Sequence, residues 1–181
     1  AAAPFYFAPQ LIRVAEGQPP GLFIDGGVSP YNTPALALLM LATLGTYGLR
    51  WELGEDRLLL ISVGTGLARP RLDPRAAAGM TPAGLAIRAL AGMIADTQYA
   101  SLLMLQWLSE PVTPWRVNSE VGDMRGEVLG GRTLLSFGRF DMPLEQAWLE
   151  AEMGISEAPA RLEALRRCDV PGHMPHLHDM A

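Results

Sequence analysis

One cysteine, Cys168, is the only thiol in this chain. An internal disulfide framework and a thiolate zinc cluster are therefore excluded. Charge is scarce as well: 18% of residues are charged, against about 25% in ordinary soluble chains. The balance is acidic, with 14 basic and 19 acidic side chains and a net charge of −5. The basic face of a nucleic-acid binder is thus lacking, and no nucleic-acid partner is expected. No apolar run reads as a membrane span. Pro34 to Leu49 is shorter than the about 20 residues a bilayer takes, and Pro82 to Leu108 is interrupted by Arg88 and Asp96. The opening, Ala1-Ala2-Ala3-Pro4-Phe5, has no Met and no leader-peptide pattern. It reads as the interior of a longer protein, so the compartment is unknown, with the cytoplasm favoured. Apolar material, by contrast, is plentiful at 49%, enough for a core and far from a disordered composition. The 181 residues are the length of one domain.

Patterning along the chain predicts alternating strands and helices. Pro4, Pro9, Pro19 and Pro20 favour loops and short extended pieces. Gly21-Leu22-Phe23-Ile24-Asp25 reads as a buried strand closed by the turn Gly26-Gly27. Thr33-Pro34 is a helix start, and Ala35 to Leu44 is apolar on nearly every side, which predicts a buried helix ended by Gly45. Arg57 to Val63 is a continuous apolar run, expected as a central parallel strand covered on both faces and ended by Gly64-Thr65-Gly66. Residues 67–81 read as a surface loop. Thr81-Pro82 starts a long helix to about Leu108, its apolar face carrying Leu85, Ala89, Met93, Ala100, Leu103 and Trp107. Pro111 and Pro114 stop it. A strand within Arg132 to Phe140, helices over Pro143 to Met153 and Glu157 to Cys168, and a fraying tail from Asp169 complete the expectation. The alternation makes the fold class α/β.

Asp25 draws attention because it ends a predicted strand, where open α/β sheets place their ligands. The two glycines after it permit unusual backbone angles and close approach. On its own an Asp-Gly-Gly turn is a weak signal, better explained as an Asp that stabilises a turn. Its context is more specific. Ala1-Ala2-Ala3-Pro4-Phe5-Tyr6-Phe7-Ala8-Pro9 precedes it, Phe23-Ile24-Asp25-Gly26-Gly27-Val28-Ser29-Pro30-Tyr31-Asn32-Thr33-Pro34-Ala35 contains it, and Leu58-Leu59-Leu60-Ile61-Ser62-Val63-Gly64-Thr65-Gly66 follows. In this order the three segments resemble the C-terminal half of the patatin-like phospholipases, most of all the bacterial branch. Ser119-Glu120-Val121-Gly122-Asp123 and Phe137-Gly138-Arg139-Phe140-Asp141 extend the likeness more loosely.

The resemblance implies a three-layer α/β/α domain around a mainly parallel sheet, of which residues 1–181 would be the C-terminal portion. Residues 1–110 would belong to the catalytic core and 111–181 to a C-terminal extension. It implies a lipid acyl hydrolase that uses a Ser-Asp dyad and no cofactor, with Asp25 as the dyad carboxylate and Gly26 and Gly27 shaping its turn. Such a carboxylate takes the proton of a serine hydroxyl, which is otherwise a weak nucleophile. The family steadies the tetrahedral oxyanion with amides of a glycine-rich loop. The nucleophile belongs in a G-x-S-x-G elbow, and none of the seven serines has it: Ser29, Ser62, Ser136 and Ser156 each have one of the two glycines, while Ser101, Ser109 and Ser119 have neither. No oxyanion loop is present either. The chain is therefore expected to be inactive alone, with an N-terminal half as covalent partner, an acyl lipid as substrate and a transient membrane surface as contact. A non-catalytic binding or assembly module, or a degenerate remnant of the family, is the alternative.

Other features point to blander roles. Ser62 to Gly66 lacks the Gly-Lys-Ser/Thr ending of a phosphate-binding loop. His173, His176 and His178, with Asp179 nearby, have metal-like spacing but sit in a Pro- and Gly-rich tail without a neighbouring cysteine, so a solvated tail is favoured and no metal is expected. Ser29, Asn32 and Thr65 are candidate neighbours of the site. Arg69, Arg71 and Arg75 form a basic group best read as a solvated loop. Met80, Met93 and Met104 are expected as core filler, and Cys168 as structural.

Overall fold

A three-stranded parallel sheet in the order β3-β5-β4 organises the chain. The computed structural model describes residues 8–66, 73–166 and 170–180. In chain order it contains β1 (Gln10–Ile12), β2 (Gly21–Phe23), α1 (Ala35–Thr43), β3 (Leu59–Val63), α2 (Pro74–Ala78), α3 (Pro82–Trp107), β4 (Ser109–Thr113), β5 (Leu135–Phe140), α4 (Gln146–Trp148), α5 (Pro159–Leu165) and α6 (Met174–Met180). The protein is thus mixed α/β. The sheet joins β3 to strands beyond residue 108, with Leu60 opposite Phe137 and Pro111 opposite Phe137 on the other side.

Strand β5 is central because it pairs on both sides. Leu135 and Phe137 on its inner face are almost fully buried. Strand β4 was not expected, since Pro111 and Pro114 suggest a simple helix stop. Proline lacks the N–H of a ladder, yet it is tolerated on an edge strand, and β4 pairs only with β5. Strand β3 is parallel as expected. It lies at the other edge instead of the centre.

Both long helices pack on one face of the sheet. Ala35 and Leu39 of α1 and Leu102 and Leu105 of α3 meet Leu58, Leu135 and Phe137 in the main core. Burying a side chain of this size stabilises by roughly 1.5–3 kcal/mol. Thr81 caps α3 as its sequence predicts, its Oγ1 accepting from the Gly84 N–H. Thr33 does not cap α1: Pro34 holds the cap position, without a side-chain bond. The expected stripe of α3 is not the buried one. Leu85 and Met93 are exposed, while Ser101, Leu102, Leu105 and Gln106 are buried. Length explains this. A 26-residue helix runs about 39 Å, whereas a five-residue strand covers only about 17 Å, so only the C-terminal end of α3 reaches the sheet. Gln106 then pins that end, its Nε2 donating to the Trp115 carbonyl at 2.8 Å and its Oε1 accepting from the Trp115 N–H at 2.7 Å.

Among the described residues, none covers the opposite sheet face. Leu59, Ile61 and Val63 of β3, Val112 of β4 and Phe140 of β5 are all exposed, Val63 at 74%. Parallel sheets are ordinarily covered on both faces. Helix α1 is likewise buried only through Ala35, Leu39 and Ala42, with Leu38, Met40 and Leu41 exposed. The segment before Asp25 departs furthest from expectation. Instead of joining the parallel sheet as a buried strand, β2 pairs antiparallel with β1, Leu11 opposite Leu22, and Leu22, Phe23 and Ile24 are exposed. A local hairpin satisfies backbone groups that a distant sheet does not reach. Bare apolar surface and an open strand edge promote association. The wild-type chain is therefore expected to self-associate at micromolar concentration, and the L59K/V112K variant to shift toward monomer with its melting temperature kept. Light scattering with thermal melts checks this, and a monodisperse wild-type monomer would count against it.

A second cluster lies beyond β5: Leu144, Leu149, Leu162, Leu165 and Met180. Arg166 ties it together, donating from Nε and Nη2 to the Leu144 carbonyl. The tail does not fray as expected. A 3-10 turn at Pro171–His173 leads into α6, and Met180 is buried in the cluster. Residues 73–81 likewise hold the short helix α2 within the expected loop. Met93 and Met104 are exposed, so they are not core filler. Arg69, Arg71 and Cys168 lie outside the described residues. No described helix is long and apolar enough to cross a membrane.

Candidate functional site

Two arrangements hold the candidate residues. The first is the Asp25 turn. Asp25 caps a 3-10 helix over Gly26–Val28, and its Oδ1 accepts from the Gly27 N–H at 2.8 Å. Its Oδ2 is buried and has no hydrogen-bond partner among the described residues. A buried acceptor left unpaired is costly, of order 1–3 kcal/mol, and in native proteins such a group calls for an explanation. Neither Gly26 nor Gly27 has the positive φ that their sequence suggests; both lie in the 3-10 turn. Gly26 instead sits close to the next turn, where an added Cβ would come within 3.3 Å of the Tyr31 Cβ. Ser29 is occupied locally: its Oγ donates to the Gly26 carbonyl at 2.8 Å and accepts from the Tyr31 N–H.

A second 3-10 turn, Pro30–Asn32, follows, and both turns pack against α3. It delivers Asn32 and Thr33 to a cavity of about 280 Å³ at the ends of β3 and β5. Ser62, Thr65, Gln98, Arg139 and Asp141 also line it. Of the candidate neighbours, Asn32 and Thr65 therefore share this cavity, while Asp25 stands outside its lining, in the turn that leads to it.

The second arrangement is a buried ion pair that sequence reasoning did not assign. Arg139 Nη2 donates to Asp141 Oδ2, and Nη1 donates to Ser62 Oγ at 2.7 Å. The Asp141 side chain is 1% exposed and that of Arg139 10%. Asp141 Oδ1 accepts from the Gly66 N–H at 3.0 Å and the Met142 N–H at 2.9 Å. The carboxylate thus ties the turn after β3 to the end of β5. The two glycines of that turn are needed for different reasons. A Cβ on Gly64 would overlap the Asp141 carboxyl, and Gly66 has φ +100°, a value L side chains rarely adopt. The turn is no phosphate cradle, because the Gly64 amide is spent on the Phe140 carbonyl and the Gly66 amide on Asp141. Arg139 Nε is buried without a partner among the described residues. The strand pattern held a signal for this pair: β5 alternation puts Arg139 on the same inner face as Leu135 and Phe137, and a charge there needs a counter-charge.

The histidines do not converge. His176 Nε2 lies 2.7 Å from Glu157 Oε1, and among the described residues no group of three or more His, Cys, Asp or Glu could hold a metal. No family model, curated protein or solved structure matches this chain.

Proposed function

We propose that this chain carries the aspartate half of a patatin-like lipid acyl hydrolase, with Asp25 as the carboxylate of a Ser-Asp dyad. The observation that carries the reading is the arrangement at Asp25: one oxygen is fixed by the Gly27 N–H, and the other is buried with no donor among the described residues. A serine hydroxyl brought to Oδ2 would supply that donor, and the carboxylate would take its proton as the oxygen attacks an ester carbonyl. Gly26 and Gly27 hold the turn. The likeness of residues 1–66 to the bacterial patatin-like proteins supports the assignment from the sequence side. In this reading the nucleophile and the oxyanion amides come from a segment outside these 181 residues. That segment also covers the bare sheet face and pairs with the open edge of β3, completing a three-layer domain.

Two experiments test the proposal. The DNA upstream of the Ala1 codon is expected to stay in frame and to encode a glycine-rich loop followed by G-x-S-x-G. A start or stop codon directly upstream would overturn it. The 181-residue chain by itself is expected to leave a nitrophenyl ester of a short fatty acid unhydrolysed. Turnover by that chain, abolished in Asp25→Asn, would also overturn the split-site reading. The bare sheet face favours a second reading, in which the chain is a non-catalytic assembly module. A natural start at Ala1 would bring that reading forward.

A further inference from the structure

Helix α3 is longer than its sheet, and the part that runs past the sheet carries a face with an unusual pattern. Leu85, Arg88, Gly92, Asp96, Tyr99 and Leu103 follow one another in steps of three or four residues, so they share one side of the helix. Leu85, Arg88 and Asp96 are exposed. Along the middle of this face runs a groove of about 540 Å³, walled by Gly92, Ala95, Asp96 and Tyr99 of α3 and by Val117 and Asn118 of the segment after β4. Its two charges are unspent within the chain. Neither Arg88 nor Asp96 has a charged residue three or four positions away on its own helix, and neither makes an ion pair among the described residues. Gly92 is unexplained as well. Glycine inside a helix is less stable than alanine, yet a Cβ added at Gly92 would meet nothing within 4 Å among the described residues. The fold of a single chain has no need of a glycine there.

We infer that this face binds the same face of a second copy of the chain, as an antiparallel helix pair with its two-fold axis at Gly92. The sequence is self-complementary about that point. In such a pair each residue lies opposite the one equally far on the other side of Gly92. Arg88 and Asp96 are each four residues from it, so each guanidinium meets the carboxylate of the other copy, twice by symmetry. Leu85 and Tyr99 are each seven residues from it, so leucine packs on tyrosine at both ends. Ala89 and Ala95 are each three residues from it and place only methyl groups beside the axis. Gly92 then has a use, because helix axes that approach to the short end of about 8–10 Å need small side chains at the crossing. The groove beside Asp96 receives Arg88 of the second copy. From Leu85 to Leu103 the face runs about 27 Å along the helix, long enough to fix how two copies lie. Charge complementarity selects this occupant, since a helix without the same spacing would leave Arg88 and Asp96 unmatched. The pairing rests on no catalytic reading, and it leaves the bare sheet face and the β3 edge free for another segment.

The test uses the full 181-residue chain in the L59K/V112K background, which removes association through the sheet face. Sedimentation equilibrium is expected to show a discrete monomer–dimer equilibrium. Arg88→Asp sets carboxylate against carboxylate at both ends of the pair, and Asp96→Arg sets guanidinium against guanidinium. Each is expected to weaken the dimer by about tenfold or more, from two surface ion pairs lost and two repulsions gained. An equimolar mixture of the two variants is expected to restore a dimer with one chain of each, because the charges then match at both ends. The R88D/D96R double variant is expected to pair with itself as the parent does. Both positions are exposed, so the circular dichroism of every variant is expected to match the parent. Gly92→Ala separates the interface from the fold: it is expected to weaken the dimer while raising the melting temperature of the dilute monomer. A dimer indifferent to both single swaps would overturn the inference, as would swaps that neither the mixture nor the double variant repairs. A parent that stays monomeric would overturn it too; binding of that monomer to phosphatidylglycerol vesicles, lost in Arg88→Asp, would assign the face to a lipid surface instead.

Discussion

Asp25→Asn, introduced into the chain joined to a segment that supplies the elbow serine, is expected to lower kcat on an acyl ester by about 10²–10⁴-fold. That is the usual worth of a positioned general base. The substitution isolates the proton-accepting role. Asparagine keeps an Oδ1 that can accept from the Gly27 N–H, so the 3-10 turn over Gly26–Val28 should persist. It changes only the atom that has no partner, Oδ2, into an amide that cannot take a proton. KM is expected to hold, since Asp25 does not line the cavity at the ends of β3 and β5. Steady-state kinetics with circular dichroism on the same sample checks both halves. An Asn variant with wild-type kcat and an intact fold would remove Asp25 from the chemistry and leave it as a turn residue.

The second large effect concerns stability. Asp141→Ala strips the counter-charge from a buried guanidinium, and breaking one side of a buried pair costs about 3–5 kcal/mol. For a chain of this length that is a fall in melting temperature of about 10 °C. A graded series separates the causes. Asp141→Asn retains an oxygen for the Gly66 and Met142 amides, and loses the ion pair together with the acceptor for Arg139 Nη2. The R139M/D141L double variant removes both charges and leaves those two amides unbonded. Each is expected to be less damaging than Asp141→Ala, because the alanine variant leaves both a bare charge and the unbonded amides. Gly64→Ala is expected to damage the same place from the other side, since its Cβ claims the space of the carboxyl. Calorimetry on the four variants gives the order. A double variant as unstable as Asp141→Ala would mean that the amide bonds, and not the charge, hold the turn.

Local sequence determined much of this protein. The helix start at Thr81-Pro82 is legible because a capping hydroxyl and a fixed proline φ act within one turn. The parallel run before Gly64 and the strand ending at Phe140 are legible because each is a short apolar run bounded by turn residues, too short for a helix of ordinary length. Asp25 itself stood out through its motif and its place after an apolar run, signals that need no tertiary contact. What the sequence left open is which surfaces meet. Helices α1 and α3 are apolar on more than one side, so periodicity could not choose the buried stripe; the short sheet chose it. Pro111 reads as a helix stop, and only an edge position in a sheet makes it a strand residue. The tail reads as solvated until Met180 finds a cluster formed by residues up to 36 positions earlier. The Arg139–Asp141 pair follows the same logic. Its partners Ser62 and Gly66 are more than 70 residues away in sequence, and only the parallel register of β3 and β5 brings them beside it. Short-range forces are encoded where they act, whereas burial and charge pairing depend on which distant elements the sheet draws together.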